Sequence, residues 1–221
     1  MAWRERLGYG FVRLLIRITM TLLTRTSVIG AEHLPRTGPG IVVSNHIDAI
    51  DPAILVGVLP RPIALMSKAE NNRGALRLFM PMVGAFTVRR GTADRRALHT
   101  SEQVLKSGRL LCLFPEGTRS HDGQLMVAHG GAALLTQKSG APVIPVAITG
   151  TPRVFLRRFP WLGFPRVTVT IGKPFRVYSP ACQARRDERA YATTELMVHI
   201  AALLPPEMRG AYAATPHYEV M

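Results

Sequence analysis

Acidic residues are scarce in this chain of 221 residues: 14 Asp and Glu stand against 28 Lys and Arg, for a formal net charge of +14. A field of that sign selects an anionic partner, whether nucleic acid, an acidic membrane face or a phosphorylated substrate, and does not choose among them. Cysteine is almost absent. Cys112 sits in the apolar run Leu110 to Phe114 and reads as a small buried hydrophobe, while Cys182 stands alone. Two such residues supply neither a disulfide framework nor a zinc cluster, so a reducing, cytosolic compartment is expected. No stretch of eighteen or so apolar residues is present, which excludes a bilayer-spanning helix. Arg13 and Arg17 interrupt the apolar N-terminal stretch, which argues against a secretory signal. The chain also lacks a G-x-S-x-G elbow and any helix-turn-helix, zinc-finger or RNP signature, so nucleic acid is not an expected partner.

What is present is an ordinary globular composition, 47% hydrophobic and 19% charged, long enough to bury a full core. Residues from about Arg4 to Thr24 have helical periodicity. Phe11, Leu15, Ile18 and Leu22 share one face, with Arg6, Arg13 and Arg17 gathered opposite. Such a helix lies in the headgroup plane of an anionic membrane or packs on the domain with its arginines in water; both readings stay open. Beyond it, short apolar runs alternate with helical stretches. Strands are expected at Ile41 to Ser44, Ile63 to Ser67, Ala85 to Val88, Leu110 to Phe114, Val143 to Thr149 and Val167 to Gly172. Helices are expected from near Pro52, over Asn72 to Met80, Thr92 to Lys106, Gly130 to Lys138 and Arg185 to Leu204. This alternation predicts an α/β domain with a mainly parallel sheet covered by helices on both faces. The expected division is an N-terminal amphipathic segment over 1–30 and the α/β domain over 31–221.

In an open α/β sheet ligands bind at the carboxyl ends of the strands, and the chemically equipped residues fall there. His46 follows the first of these strands, with Asp51 five residues on. A carboxylate that accepts from one imidazole nitrogen leaves the other basic, which suits general base catalysis; Asp51 before Pro52 also reads as a helix N-cap. Phe114-Pro115-Glu116-Gly117-Thr118-Arg119-Ser120 ends another buried strand. There Gly117 permits close backbone approach, Thr118 offers a hydroxyl and Arg119 a planar fork for phosphate, unless Arg119 pairs with Glu116. Arg89 and Arg90 end a third strand as an anion cradle or as solvated charge, and Lys68 belongs to the same rim. The segment Val154 to Arg166 interleaves aromatic rings with arginines, as an interfacial anchor does, with some rings expected in the core.

Taken in order, these stretches resemble the lysophosphatidic acid acyltransferase (1-acyl-sn-glycerol-3-phosphate acyltransferase) family of glycerolipid acyltransferases, over about Ile41 to Gly172. Asn45-His46 with Asp51 is the H-x4-D box and Phe86 to Gly91 the second. Phe114 to Ser120 is the third, and Val143-Ile144-Pro145-Val146-Ala147 with Gly150 the fourth. The resemblance implies His46 as general base and Asp51 as its orienting partner. It places Arg89, Glu116, Gly117 and Arg119 around the acceptor's glycerol phosphate and Pro145 near the acyl donor. It further implies a glycerolipid acyltransferase-like fold and N-terminal helices that meet the membrane.

The expected reaction is direct transfer of an acyl group from acyl-CoA or acyl carrier protein to 1-acyl-sn-glycerol 3-phosphate. The donor is a co-substrate, no metal or bound cofactor is required, and the enzyme works as a peripheral protein on the cytoplasmic membrane face. The same chemistry on glycerol 3-phosphate, another lysophospholipid or a glycolipid is the nearest alternative; a non-catalytic lipid- or nucleic-acid-binding protein is the distant one. Two departures stand out. His129 precedes Gly130-Gly131 where the family often has lysine, and Asp48, between His46 and Asp51, stands within reach of the imidazole but is expected to face solvent.

Overall fold

The computed structural model describes residues 3–68, 80–88, 94–151, 164–177 and 185–214. The described strands form one seven-stranded sheet in the order β1-β7-β6-β2-β5-β3-β4. Their ranges are β1 Arg25–Ile29, β2 Gly40–Ser44, β3 Ile63–Lys68, β4 Phe86–Val88, β5 Leu110–Leu113, β6 Val143–Thr149 and β7 Arg166–Ile171. From β6 across β2, β5 and β3 to β4 every pairing is parallel. Strand β7 turns back antiparallel to β6, and β1 runs parallel to β7. The sheet is therefore mainly parallel, with one reversed edge.

The described helices are α1 Trp3–Leu23, α2 Asp51–Val58, α3 Arg95–Lys106, α4 Gly131–Ser139 and α5 Arg185–Leu203. The pleat divides the core between the two faces. Val42, Leu110, Cys112, Ile144, Val146 and Ile148 pack with Tyr9 and Val12 of α1 and Ile54 and Leu55 of α2. Ile41, Val43, Leu111, Leu113 and Ala147 pack with Val104 of α3, Leu135 of α4 and Leu196 and Ile200 of α5. All of β2 and β5 is buried. That is why these strands read as apolar runs, each buried Val, Leu or Ile adding about 1.5–3 kcal/mol by leaving water.

The helix expected over Asn72 to Met80 falls outside the described residues except for Met80, as do Cys182 and all of the aromatic-arginine segment up to residue 163. Strand β1 was not anticipated. It follows α1 directly and supplies the edge next to β7, so the boundary expected at residue 30 falls within a chain that is continuous with the sheet on both sides.

Helix α1 packs on the domain through a second apolar stripe, one not singled out from the sequence. Tyr9 and Val12 are buried, and Ile16 and Met20 pack against the same cluster. Gly57 of α2 admits this contact, since a Cβ there would meet Ile16 Cγ2 at 2.8 Å. Of the two orientations left open, the stripe of Phe11, Leu15, Ile18 and Leu22 takes the outward one. Phe11 is 56% exposed and Ile18 48%, with Trp3, Leu7, Leu14, Leu15 and Leu22 also open. Arg13 does not lie on a free cationic face. Its Nη2 donates to Leu59 O at 2.7 Å and its Nε to Gly57 O at 3.5 Å, at the C-terminal end of α2. There it complements the negative end of that helix dipole.

Candidate active site

Strands β2 and β5 are adjacent and parallel, with Val43 opposite Leu113, so the segments that follow them emerge side by side on one rim. His46 and the Glu116–Ser120 turn are thus brought together, as their strand-end positions suggested. Ser120 N donates to His46 O at 2.8 Å, and His46 N donates to Glu116 Oε1 at 2.8 Å.

Asp51 opens α2, with Pro52 in its first turn, and folds back under the preceding loop. Its Oδ2 accepts from Ile47 N at 2.7 Å, Asp48 N at 2.8 Å and His46 Nδ1 at 2.9 Å. An oxygen already accepting two backbone N–H groups is an acceptor for the ring as well, so the proton resides on Nδ1 and Nε2 is left with a free lone pair. The orienting role anticipated for Asp51 is met, but the N-cap role is not: the cap residue is Ile50, with no side-chain cap bond, and the carboxylate bonds back to the loop that precedes the helix. Asp51 is fully buried, whereas the His46 side chain is 16% exposed, so the dyad faces outward through the imidazole. Asp48 does not compete: its Oδ1 accepts from Ile50 N at 3.1 Å.

Two residues that position the ring were quoted within motifs but given no role. Phe114 stacks on the imidazole, with ring centroids 4.3 Å apart and planes 27° from parallel. Buried Asn45 uses both ends of its amide on β6, donating from Nδ2 to Ile148 O at 2.9 Å and accepting at Oδ1 from Ile148 N at 2.7 Å. It staples the end of β2 to β6 immediately before His46. A buried Asn preceding a candidate catalytic residue is a polar group that must find partners, and that was the available signal.

Glu116 departs from its expected place among the substrate ligands. It is 1% exposed, and its second oxygen, Oε2, accepts from Met126 N at 3.0 Å, so both oxygens are engaged by the protein's own backbone. Burial pushes its carboxyl up to about 7, with the amides of Met126 and His46 drawing it down and Asp51 and Asp122 adding to the rise.

Gly117 has φ +69°, a left-handed conformation that turns the chain immediately after Glu116 and that side chains rarely adopt. Thr118 is half-buried. Arg119 is exposed, and among the described residues its guanidinium has no hydrogen-bond or ion-pair partner, so the anticipated pairing with Glu116 does not occur.

Lys68 ends β3 opposite Val88 of β4, on the same rim by register; its side chain, and Arg89 and Arg90 entirely, lie outside the described residues. Pro145 is not on the rim. It is buried within β6 opposite Val43, and its carbonyl accepts from Gly172 N at 2.9 Å. A proline is tolerated in this interior strand because the N–H it lacks would have pointed toward the last rung beside β7. Its ring fills the space over Gly172, where a Cβ would come within 2.8 Å of Pro145 Cγ. Among the described residues no group of three or more His, Cys, Asp or Glu is arranged to hold a metal ion.

The chain is similar to several known proteins. A 1-acyl-sn-glycerol-3-phosphate acyltransferase of Borreliella burgdorferi is 28% identical over 162 residues, which is 69% of this chain and 62% of that protein. The corresponding protein of Bacillus subtilis is 28% identical over 144 residues, 64% of this chain and 71% of that one. The alpha form from Mus musculus is 32% identical over 129 residues, 57% of this chain and 45% of that one. The chain thus spans less than two-thirds of the length of the Borreliella and mouse proteins. The crystal structure of the 1-acyl-sn-glycerophosphate (LPA) acyltransferase PlsC from Thermotoga maritima shares the fold, with a TM-score of 0.65, 24% identity, and coverage of 87% of this chain and 79% of that one. Residues 25–149, from β1 to the end of β6, match the Acyltransferase family, and the chain belongs to it.

Proposed function

We propose that this protein is an O-acyltransferase that moves a fatty acyl group from a thioester of coenzyme A or acyl carrier protein to the free hydroxyl of 1-acyl-sn-glycerol 3-phosphate, yielding phosphatidic acid for phospholipid synthesis. The observation that carries this reading is the bond from His46 Nδ1 to buried Asp51, which leaves Nε2 as a base at the open end of the sheet. The acceptor hydroxyl becomes a competent nucleophile as Nε2 takes its proton. Its oxygen forms the new ester bond at the thioester carbonyl, the carbon–sulfur bond breaks, and the thiolate leaves with the proton returned by His46. Asp51 stabilises the intervening imidazolium. The names carried by the relatives support the choice of acceptor.

Arg119, exposed and unpaired among the described residues, is suited to the acceptor's phosphate through its planar fork. Lys68, Arg89 and Arg90 are further candidates for that anion, and Thr118 and Gly117 for the glycerol portion. A radiolabelled acyl thioester offered with lysophosphatidic acid, glycerol 3-phosphate and neutral lysolipids tests the whole reading. Lysophosphatidic acid should be acylated most efficiently, and Arg119→Ala should raise its KM more than it lowers kcat. Label entering a neutral lysolipid equally well would refute the phosphate-directed acceptor, and no transfer to any of them would refute the activity.

The site is best served from a lipid surface, and α1 offers the contact. Its outer face presents Trp3, Leu7, Phe11, Leu14, Ile18 and Leu22 to solvent, beside exposed Arg6 and Arg17. At about 100° per residue these apolar positions form one continuous stripe along the helix. No described helix is long and apolar enough to cross a membrane, and this helix is suited to lie in the headgroup plane of an anionic one, as a peripheral protein on the cytoplasmic face. Phe11→Ser with Ile18→Ser, both already half-exposed, should leave the fold unchanged and weaken partition onto anionic liposomes by roughly tenfold. Flotation with undiminished recovery of that variant would refute the docking face.

A further inference from the structure

We infer that Glu116 is a positioning residue for His46 and not a ligand of the acceptor; the inference rests on the proposed acyl transfer. His46 is held at two levels. Asp51 and Phe114 fix the ring, through the 2.9 Å bond to Nδ1 and the stack at 4.3 Å. The backbone is fixed by the neighbouring turn. Glu116 Oε1 accepts from His46 N at 2.8 Å, and Ser120 N returns a bond to His46 O at 2.8 Å. Both main-chain polar groups of the base are therefore satisfied by the segment 116–120.

The other carboxylate oxygen reaches away from the base. Oε2 accepts from Met126 N at 3.0 Å, and His129 N donates to Pro115 O at 3.0 Å, so the long connection ahead of α4 is tied to the same residue pair. One carboxylate thus joins two loops, the first 70 residues and the second 10 residues from Glu116. At 1% exposure it meets an acceptor in solution or at a membrane only by giving up both amides. A small displacement of a base costs rate without weakening substrate binding, which separates this role from that of a ligand.

Proton occupancy offers a second handle. Burial pushes Glu116 up to about 7. The titratable groups around it are His46 and Asp51 from the β2–α2 turn, Asp122 from its own loop and Tyr212 from the 3-10 turn Gly210–Tyr212. A proton on Glu116 turns one oxygen from acceptor to donor, opposite an N–H that can only donate. Protonation of Glu116 then lowers the rate in addition to protonation of the base, and the acid limb of kcat against pH falls more steeply than one proton allows.

The test is steady-state kinetics on Glu116→Gln and Glu116→Asp, after wild-type turnover of lysophosphatidic acid has been established. Absence of that turnover would count against the function itself and is thereby distinguished from failure of this inference. The glutamine amide satisfies only one of the two N–H donors, so E116Q should lose about tenfold in kcat with acceptor KM within about twofold of wild type. Its acid limb should also flatten to one proton. E116D, which keeps a carboxylate on a shorter stem, should regain part of the rate. If circular dichroism shows E116Q to be unfolded, E116D is read by the same split. A rise in acceptor KM with kcat preserved, in either variant, overturns the inference, as does an unchanged acid limb in folded E116Q.

Discussion

Replacing His46 with alanine is expected to lower kcat by about 10²–10⁴-fold, the usual contribution of a positioned general base, with the fold, the acceptor KM and liposome binding unchanged. The surroundings of the ring explain why so large a loss should be so local. The imidazole is partly open to solvent, and its removal takes away one of the three donors to Asp51 Oδ2. The amides of Ile47 and Asp48 remain on that oxygen, so no buried carboxylate is stranded. Asn45 still staples β2 to β6, and the backbone bonds of residue 46 to Glu116 and Ser120 do not involve its side chain. What disappears is the only basic lone pair the dyad presents. Transfer measured with labelled thioester, alongside flotation and thermal unfolding, separates these effects. A variant that kept more than about a tenth of wild-type kcat would remove His46 from the chemistry.

The dyad was legible in the sequence because it is local: five residues and one proline-initiated helix bring Asp51 back to His46. The rim was legible for a related reason. Fully buried strands must be apolar throughout, so β2, β5 and β6 stand out as runs, and in a parallel sheet their ends share an edge. Strand β1 gave no such signal. It is an edge strand with four of its five residues exposed, and Arg25-Thr26-Ser27 carries no apolar periodicity. Its pairing is decided by β7, far along the chain. The packing of α1 was ambiguous for a different reason. Tyr9, Val12, Ile16 and Met20 repeat at helical spacing as well as Phe11, Leu15, Ile18 and Leu22 do, and periodicity alone does not say which stripe meets the protein. Glu116 was legible as special but not in its role, since its partners are backbone N–H groups, which every residue but proline possesses.

The charge of Asp51 can be separated from its geometry, because its two oxygens have such different surroundings. Oδ2 takes all three donors, while Oδ1 is buried with no hydrogen-bond partner among the described residues. In Asp51→Asn the amides of Ile47 and Asp48 force an acceptor to stay in the Oδ2 place, which puts the new oxygen there and the NH₂ where Oδ1 now lies. The ring therefore still donates from Nδ1, its tautomer is kept, and only the negative charge beneath the developing imidazolium is lost. A charge-assisted hydrogen bond exceeds a neutral one by about 1–2 kcal/mol, so kcat should fall about five- to thirtyfold. The unpaired buried NH₂ should cost roughly 1–3 kcal/mol of stability, seen as a lower melting temperature. Asp51→Ala is the harsher change, for it strands all three donors and should lose rate on the scale of His46→Ala together with local order in the β2–α2 turn. The pair H46A/D51N supplies the decisive arm. With the imidazole gone there is no imidazolium to stabilise, and D51N should lower the residual rate no further. Full activity in D51N would show that the carboxylate's charge takes no part in the reaction, and additive losses in the double variant would show that it acts other than through the imidazolium.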